Sequence, residues 1–189
     1  PPMKNVFLAA VLAAACVPVL LAQQPQATGE GQAVARARAT IAGEGIKGTA
    51  EFTEYTRGTG RYVQVVVKAT GLKPGRHGMH LHEVGKCEAP FTSAGGHFDP
   101  GPYGHTDPDT NHPFHMGDLP NIEAKGAGEA TVTAITSRVT LTDGPLSVFD
   151  KDGTALIIHA NPDQEIPGPE KSGVSGGPRV ACGVLEKAK

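Results

Sequence analysis

From about Ala33 onward, apolar and polar residues alternate in short runs, each bounded by Gly, Pro or Thr. Val34, Arg36, Arg38 and Thr40 alternate with small apolar neighbours, and Ile46 to Glu54 repeats the pattern around Phe52. Tyr62 to Lys68 is short and rich in β-branched residues. A period of two with such boundaries predicts strands joined by hairpins. The same reading gives strands near His77–Val84, Glu129–Ile135, Thr154–His159 and Arg179–Leu185. Gly85–Leu119 and Asn161–Pro178 hold no sustained period of either kind. A structureless loop as long as the first needs something other than packing to hold it. Loops on a rigid scaffold are also where function collects. The pattern therefore predicts an all-β, antiparallel barrel or sandwich with two long loops.

Composition narrows this picture. With 25 Gly and 16 Pro in 189 residues, a helical bundle is disfavoured, yet the chain stays short of a disordered composition. A formal net charge of −2 supplies no basic face for nucleic acid. The first residues read as a leader. Lys4 follows Met3, Val6 to Ala15 is apolar, and cleavage after Ala22 fits a secretory signal. Pro1-Pro2 are set aside. A membrane anchor over Val6 to Ala22 is disfavoured by Pro18, and lipidation at Cys16 by the apolar residues that follow it. The expected organisation is a signal peptide over 1–22, a flexible polar tail over 23–32 and one domain over 33–189. The mature chain then carries no stable membrane span and is exported, to the periplasm or the extracellular space. Its two remaining cysteines, Cys87 and Cys182, read as one disulfide in that setting.

Histidine changes the picture most. Six of the eight His fall between His80 and His115. His80 and His82 are two apart on a predicted strand, so both rings share a face while Met79 and Leu81 point to the core. In the strand that ends at His159, Leu156 and Ile158 are expected inside, with Ile157 and His159 on the outer side. His97, His105 and His115 lie in the first long loop, with Asp118 three residues beyond His115. Three imidazoles and one carboxylate suit a tetrahedral zinc, and three or four imidazoles with an open position suit copper.

These residues carry a resemblance. Gly75-Arg-His77-Gly-Met-His80-Leu-His82-Glu-Val-Gly, Cys87, and Ser93-Ala-Gly-Gly-His97-Phe-Asp-Pro are similar to the copper/zinc superoxide dismutase family. So are His115-Met-Gly-Asp118-Leu-Pro-Asn, Thr154 to Asp163, and Arg179-Val-Ala-Cys182-Gly-Val. The resemblance covers about Ala33 to Leu185. It implies an eight-stranded antiparallel Greek-key β-barrel or sandwich with two long functional loops. It implies copper on His80, His82, His97 and His159, and zinc on His97, His105, His115 and Asp118. His97 would bridge the two metals and, with Arg179 beside the open copper position, serve catalysis. Asp163 would join a copper ligand to a zinc ligand, His77 would support the backbone of the copper site, and Cys87–Cys182 would be the family's disulfide.

The implied reaction turns superoxide anion into oxygen and hydrogen peroxide, by alternate reduction and reoxidation of copper beside a structural zinc. The resemblance admits a homodimer, since some members pair and others do not. Compared with the common vertebrate form, there is an insertion near Glu88-Ala-Pro-Phe, and the His105 to His115 interval is one residue longer and holds an extra His112. His112 competes with His115 for the zinc, and the Met-Gly-Asp118 continuation favours His115. Two rival classes are an exported metal-binding protein without turnover and a zinc hydrolase. The closed four-ligand zinc set argues against the hydrolase.

Overall fold

The structure, a computed structural model, describes residues 31–101 and 104–189. The expected signal peptide, and the tail up to residue 30, lie outside the described residues. Nine strands follow in order: β1 (Gln32–Gly43), β2 (Ile46–Arg57), β3 (Gly60–Thr70), β4 (Gly75–His82), β5 (Asp118–Ala124), β6 (Ala130–Thr136), β7 (Ala155–His159), β8 (Arg179–Val184) and β9 (Glu186–Ala188). The one helical element among the described residues is a 3-10 turn at Thr92–Ala94, so no helix there is long and apolar enough to cross a membrane.

The strands hydrogen-bond in the order β2-β3-β6-β5-β4-β7-β8-β1, and β1 pairs back onto β2. All pairings are antiparallel, so eight strands close an antiparallel barrel. Closure leaves few free edges. Short β9 is an addition, paired with Arg36 to Arg38 of β1. The β1–β2 and β2–β3 hairpins turn in two residues each, with Gly45 (φ 71°) and Gly58 (φ 59°) in the left-handed region that other residues avoid.

Alternation fills the barrel as the sequence predicts. Ala37, Ala39 and Ile41 of β1, Val63, Val65 and Val67 of β3, and Phe52 of β2 all face the core. Each large apolar side chain removed from water contributes roughly 1.5–3 kcal/mol, which fixes the register, because a slip of one residue would expose a whole face.

One strand was not legible. Asp118 to Ala124 is β5, yet Pro120 interrupts its pattern. Its register against β4 shifts between His77 and Met79, so that β5 carries one extra residue there. That bulge accommodates Pro120, which has no N–H to donate.

The lining of the site comes from β4 and β7. They pair with His80 opposite Ile157, Leu81 opposite Leu156 and Met79 opposite Ile158. Met79, Leu81, Leu156 and Ile158 enter the main core, as their parity predicts. Ile157 and His159, expected on the outer side, are also buried. A loop covers that face: Ile157 packs with Ala94, Ala155 and Cys182 in a second small core beside Cys87 and Phe91. Cys87 and Cys182 are joined as a disulfide, with Cα atoms 5.7 Å apart, and this ties the covering loop to β8.

Candidate metal centre

Four imidazoles meet outside the barrel wall. His80 and His82 come from β4, His159 from the end of β7, and His97 from the loop, which bridges to the main chain of His82. One ring nitrogen from each lies within 4.8 Å of the others, and all four residues are buried.

The second nitrogen of every ring is held. His80 Nε2 donates to Asp163 Oδ2 (2.8 Å), and His82 Nδ1 to the Gly95 carbonyl (3.1 Å). His159 Nδ1 donates to the Gly177 carbonyl (2.8 Å), and His97 Nδ1 to Asp118 Oδ1 (2.7 Å). Every one of these partners can only accept, so the proton of each neutral ring sits on that side. The lone pairs then remain on His80 Nδ1, His82 Nε2, His97 Nε2 and His159 Nε2, and none of these buried atoms has a partner. A buried polar atom without a partner costs about 1–3 kcal/mol. Four lone pairs turned toward one another are the arrangement a bound cation compensates.

Electrostatics agrees. Burial pushes His80 and His97 down to about 4 and His159 down to about 3, and holds His82 well below its usual value. Neutral rings are the form in which imidazole binds a metal.

Asp118, at the start of β5, organises the other side. Nδ1 of three rings surrounds its carboxylate: His97 at 2.7 Å, His115 at 3.0 Å and His112 at 3.3 Å. The His115 N–H also donates to Asp118 Oδ2 (2.9 Å). His80, His97, His112 and Asp118 form a second set whose donor atoms lie within 4.8 Å. His112 Nε2 donates to Asp163 Oδ1 (2.6 Å), so Asp163 links His80 to His112. Burial pushes the His112 ring down, but the carboxylates of Asp118 and Asp163 on its two sides outweigh this and raise it to about 9. Burial likewise opposes ionisation of Asp118 and Asp163, and the surrounding imidazoles overcome it and hold both carboxyls well below the usual range. His112 Nδ1, 3.3 Å from Asp118 Oδ2, is buried without a hydrogen-bond partner and is the atom of this ring open to a metal cation.

The structure brings the expected ligands together except at one position. His105 is exposed, its main-chain N–H donates to Asp99 Oδ2 (2.8 Å), and it belongs to neither donor set. His112 and His115 both stand against Asp118. The loop holds its shape without periodicity, so chain distance from His97 is no guide to which His turns inward. The available signal was the density of donors in His112-Pro-Phe-His115-Met-Gly-Asp118.

Two further residues frame the centre. Arg179, half-buried at the start of β8, donates to the carbonyls of Phe91 (2.7 Å) and Gly95 (2.6 Å). Burial lowers its pKa and nearby Glu83 opposes this. A guanidinium nonetheless stays charged. His77 lies at the opposite parity to His80 and His82, with Nδ1 2.8 Å from the His159 carbonyl and Nε2 2.8 Å from the Lys73 carbonyl. Sequence reasoning missed Asn121 of β5. Its Oδ1 accepts the Asp163 N–H (2.8 Å) and its Nδ2 donates to the Asp163 carbonyl (3.0 Å), which fixes the residue joining the two sets.

The family model for copper/zinc superoxide dismutase matches residues 46–185. The chain belongs to the copper/zinc superoxide dismutase family. A relative named superoxide dismutase [Cu-Zn], from Deinococcus radiodurans, is 38% identical in an alignment of 152 positions that covers 75% of this chain and 78% of that one. Among solved structures, the clock protein EA4 aligns with a TM-score of 0.67 and 29% identity, covering 83% of this chain and 97% of its own. A point variant of an SOD-like protein from Bacillus subtilis aligns at 0.62 and 31%, covering 78% and 95%. The eight-stranded barrel, the Cys87–Cys182 disulfide and the buried imidazoles belong together in this family member. Its His clusters are able to hold metal ions.

Proposed function

We propose that this chain disproportionates superoxide to oxygen and hydrogen peroxide, with copper held by His80, His82, His97 and His159. In this reading zinc is held by His97, His112, His115 and Asp118. The observation that carries it is the set of four partnerless imidazole nitrogens facing one another, one of which belongs to a ring whose other nitrogen lies on Asp118. His80 falls to the copper side, because its free atom is Nδ1 while Nε2 is committed to Asp163. His115 then completes the zinc side through the nitrogen it already turns to Asp118. This replaces His105 of the sequence reading by His112.

Copper in such a site supplies one-electron redox chemistry, and zinc supplies fixed geometry and positive charge without redox chemistry. The chain's own residues do the rest. Asp163 holds the His80 and His112 rings through one carboxylate, the outer support that metal sites need. His97 presents one nitrogen to each side, so it is the ring able to hold a proton at Nε2 whenever that atom is disengaged; peroxide formation consumes two protons. Arg179 supplies a fixed positive charge for a small anion. A chain with net charge −2 offers no overall attraction, so that pull is local.

Every residue of both sets comes from one chain, so a homodimer would carry two complete centres. Export, to the periplasm or the extracellular space, is part of the same proposal. Its support is the apolar stretch after Lys4 and a disulfide of the kind that persists in oxidising compartments.

Metal content measured together with superoxide-dismuting activity, before and after copper reconstitution, tests the reading. One copper and one zinc per chain, with activity that follows copper, is the expected result. Full loading without activity would leave a metal-binding protein in its place.

A further inference from the structure

The second long loop returns over the centre as a strap. The Gly177 carbonyl accepts the His159 Nδ1 proton (2.8 Å), and a Cβ on Gly176 would lie 2.7 Å from His159 Cβ. Ser175 bridges to Asp163, and the Gln164 N–H donates to the Val174 carbonyl (2.8 Å). The strap also roofs Gly78. A Cβ there would meet the Ser175 carbonyl at 3.0 Å and His80 Cε1 at 3.3 Å. Residues 175–177 thus pack against His159 and over Gly78, two residues before His80.

What holds the strap is a carboxylate that no step above uses. Asp109 lies in the first long loop, three residues before His112, and is 3% exposed. Its Oδ2 accepts the Gly173 N–H (2.8 Å), and its Oδ1 accepts the Ser175 N–H (3.1 Å) and hydroxyl (2.8 Å). Its main-chain carbonyl accepts the Gly168 N–H (2.8 Å). Its own N–H is tied back to Asp107 Oδ1 (3.1 Å), which closes the turn that carries it. Among the described residues, Asp109 forms no ion pair. A buried carboxylate is costly unless its oxygens are saturated by donors. Here all the side-chain donors come from one element, the strap.

We propose that Asp109 is a positioning residue that fastens the Gly168–Gly177 strap to the loop bearing His112, His115 and Asp118. Order imposed at the Asp118 side thereby reaches His159 through main-chain hydrogen bonds, in addition to the route through the His97 ring and Asp163. The coupling rests on the zinc assignment above; the fastening itself does not.

Amide hydrogen exchange on the full chain, metal-free and with zinc added, separates the two. In the unaltered chain, zinc slows exchange at His115 to Asp118 and also at Gly173, Ser175 and Gly176. In Asp109→Ala, the metal-free strap amides exchange at least ~10-fold faster, because their acceptor is gone. Zinc still protects His115 to Asp118 but no longer reaches the strap. Asp109→Asn, which keeps one acceptor oxygen, and Ser175→Ala, which removes one bond only, give intermediate exchange and serve if the alanine variant does not fold. Unchanged strap exchange in all three variants overturns the fastening. Zinc protection of the strap that persists in a variant with fast metal-free strap exchange overturns the coupling. If zinc leaves His115 to Asp118 unaffected in the unaltered chain, the zinc assignment and the coupling fail together, while the metal-free comparison still decides the fastening.

Discussion

His82 and Arg179 share one acceptor: the Gly95 carbonyl takes a proton from His82 Nδ1 at 3.1 Å and from Arg179 Nη2 at 2.6 Å. The same peptide unit is gripped from behind, where the Gly96 N–H donates to Glu83 Oε1 (2.7 Å). Gly95 itself sits at φ 74°, and a Cβ there would fall 2.6 Å from Glu83 Cγ. Ligand and guanidinium are therefore placed by a single turn, which only glycine fits without displacement.

Arg179→Ala removes the local charge and both carbonyl contacts. Turnover is expected to fall on the order of tenfold, and its ionic-strength dependence to flatten, with metal content intact. Arg179→Lys keeps the charge but not the fork, so it recovers part of the salt dependence and less of the rate. Initial rates across a salt series decide the matter. Unaltered kinetics in the alanine variant would show that steering lies elsewhere.

His105 and His112 give opposite outcomes. His112→Ala leaves Asp118 and Asp163 facing each other without the ring between them, and zinc affinity is expected to drop by at least ~100-fold, in the range seen when metal-site supports are lost or beyond it. His105→Ala, at an exposed position, holds zinc within about twofold of the unaltered chain. Competition with a chromogenic chelator measures both. Zinc loss in His105→Ala alone would restore the sequence-based assignment.

In the metal-free chain, acidification should destabilise the fold before the carboxylates titrate. Burial holds His80 and His97 at about 4 and His159 at about 3. The unfolded rings protonate near 6.5, so the unfolded state binds more protons below that pH. Stability is full above about 6.5 and declines as pH falls toward 4. His112 has the opposite sign. Raised to about 9, it stabilises fully below 6.5, and that contribution is lost as pH climbs through 9. Urea midpoints of metal-free protein at pH 4.5, 7 and 9.5 should therefore be highest at pH 7. A midpoint that rises on acidification would contradict the neutral, buried state of the three rings.

Reduction of Cys87–Cys182 releases a closure spanning 95 residues. Chain-entropy reasoning gives roughly 4–5 kcal/mol as an upper figure, and about 2–4 kcal/mol is the usual range. The bridge also anchors the loop that carries the Phe91 and Gly95 carbonyls. Cys87→Ser with Cys182→Ser is therefore expected to lower both the denaturant midpoint and the turnover of metal-loaded protein. Loss of stability with turnover unchanged would separate the bridge from Arg179 positioning.

The sequence by itself determined the strands and the side chains they show to the core. Alternation depends only on the two-residue period of extended chain, so Met79 and Leu81 inside, with His80 and His82 opposite, follow from neighbouring residues alone. It also determined that metal chemistry was concentrated near His80 to Asp118, because that density of imidazoles has no packing explanation.

The tertiary structure decided what depends on distant chain. His112 rather than His105 turns inward because Asp163, 51 residues away, receives its ring. Ile157 is buried because the disulfide-tied loop lies across it, and β5 is a strand because a bulge against β4 accommodates Pro120. Loops without a period acquire their path from contacts of long sequence separation, and local spacing carries no record of which contacts those are.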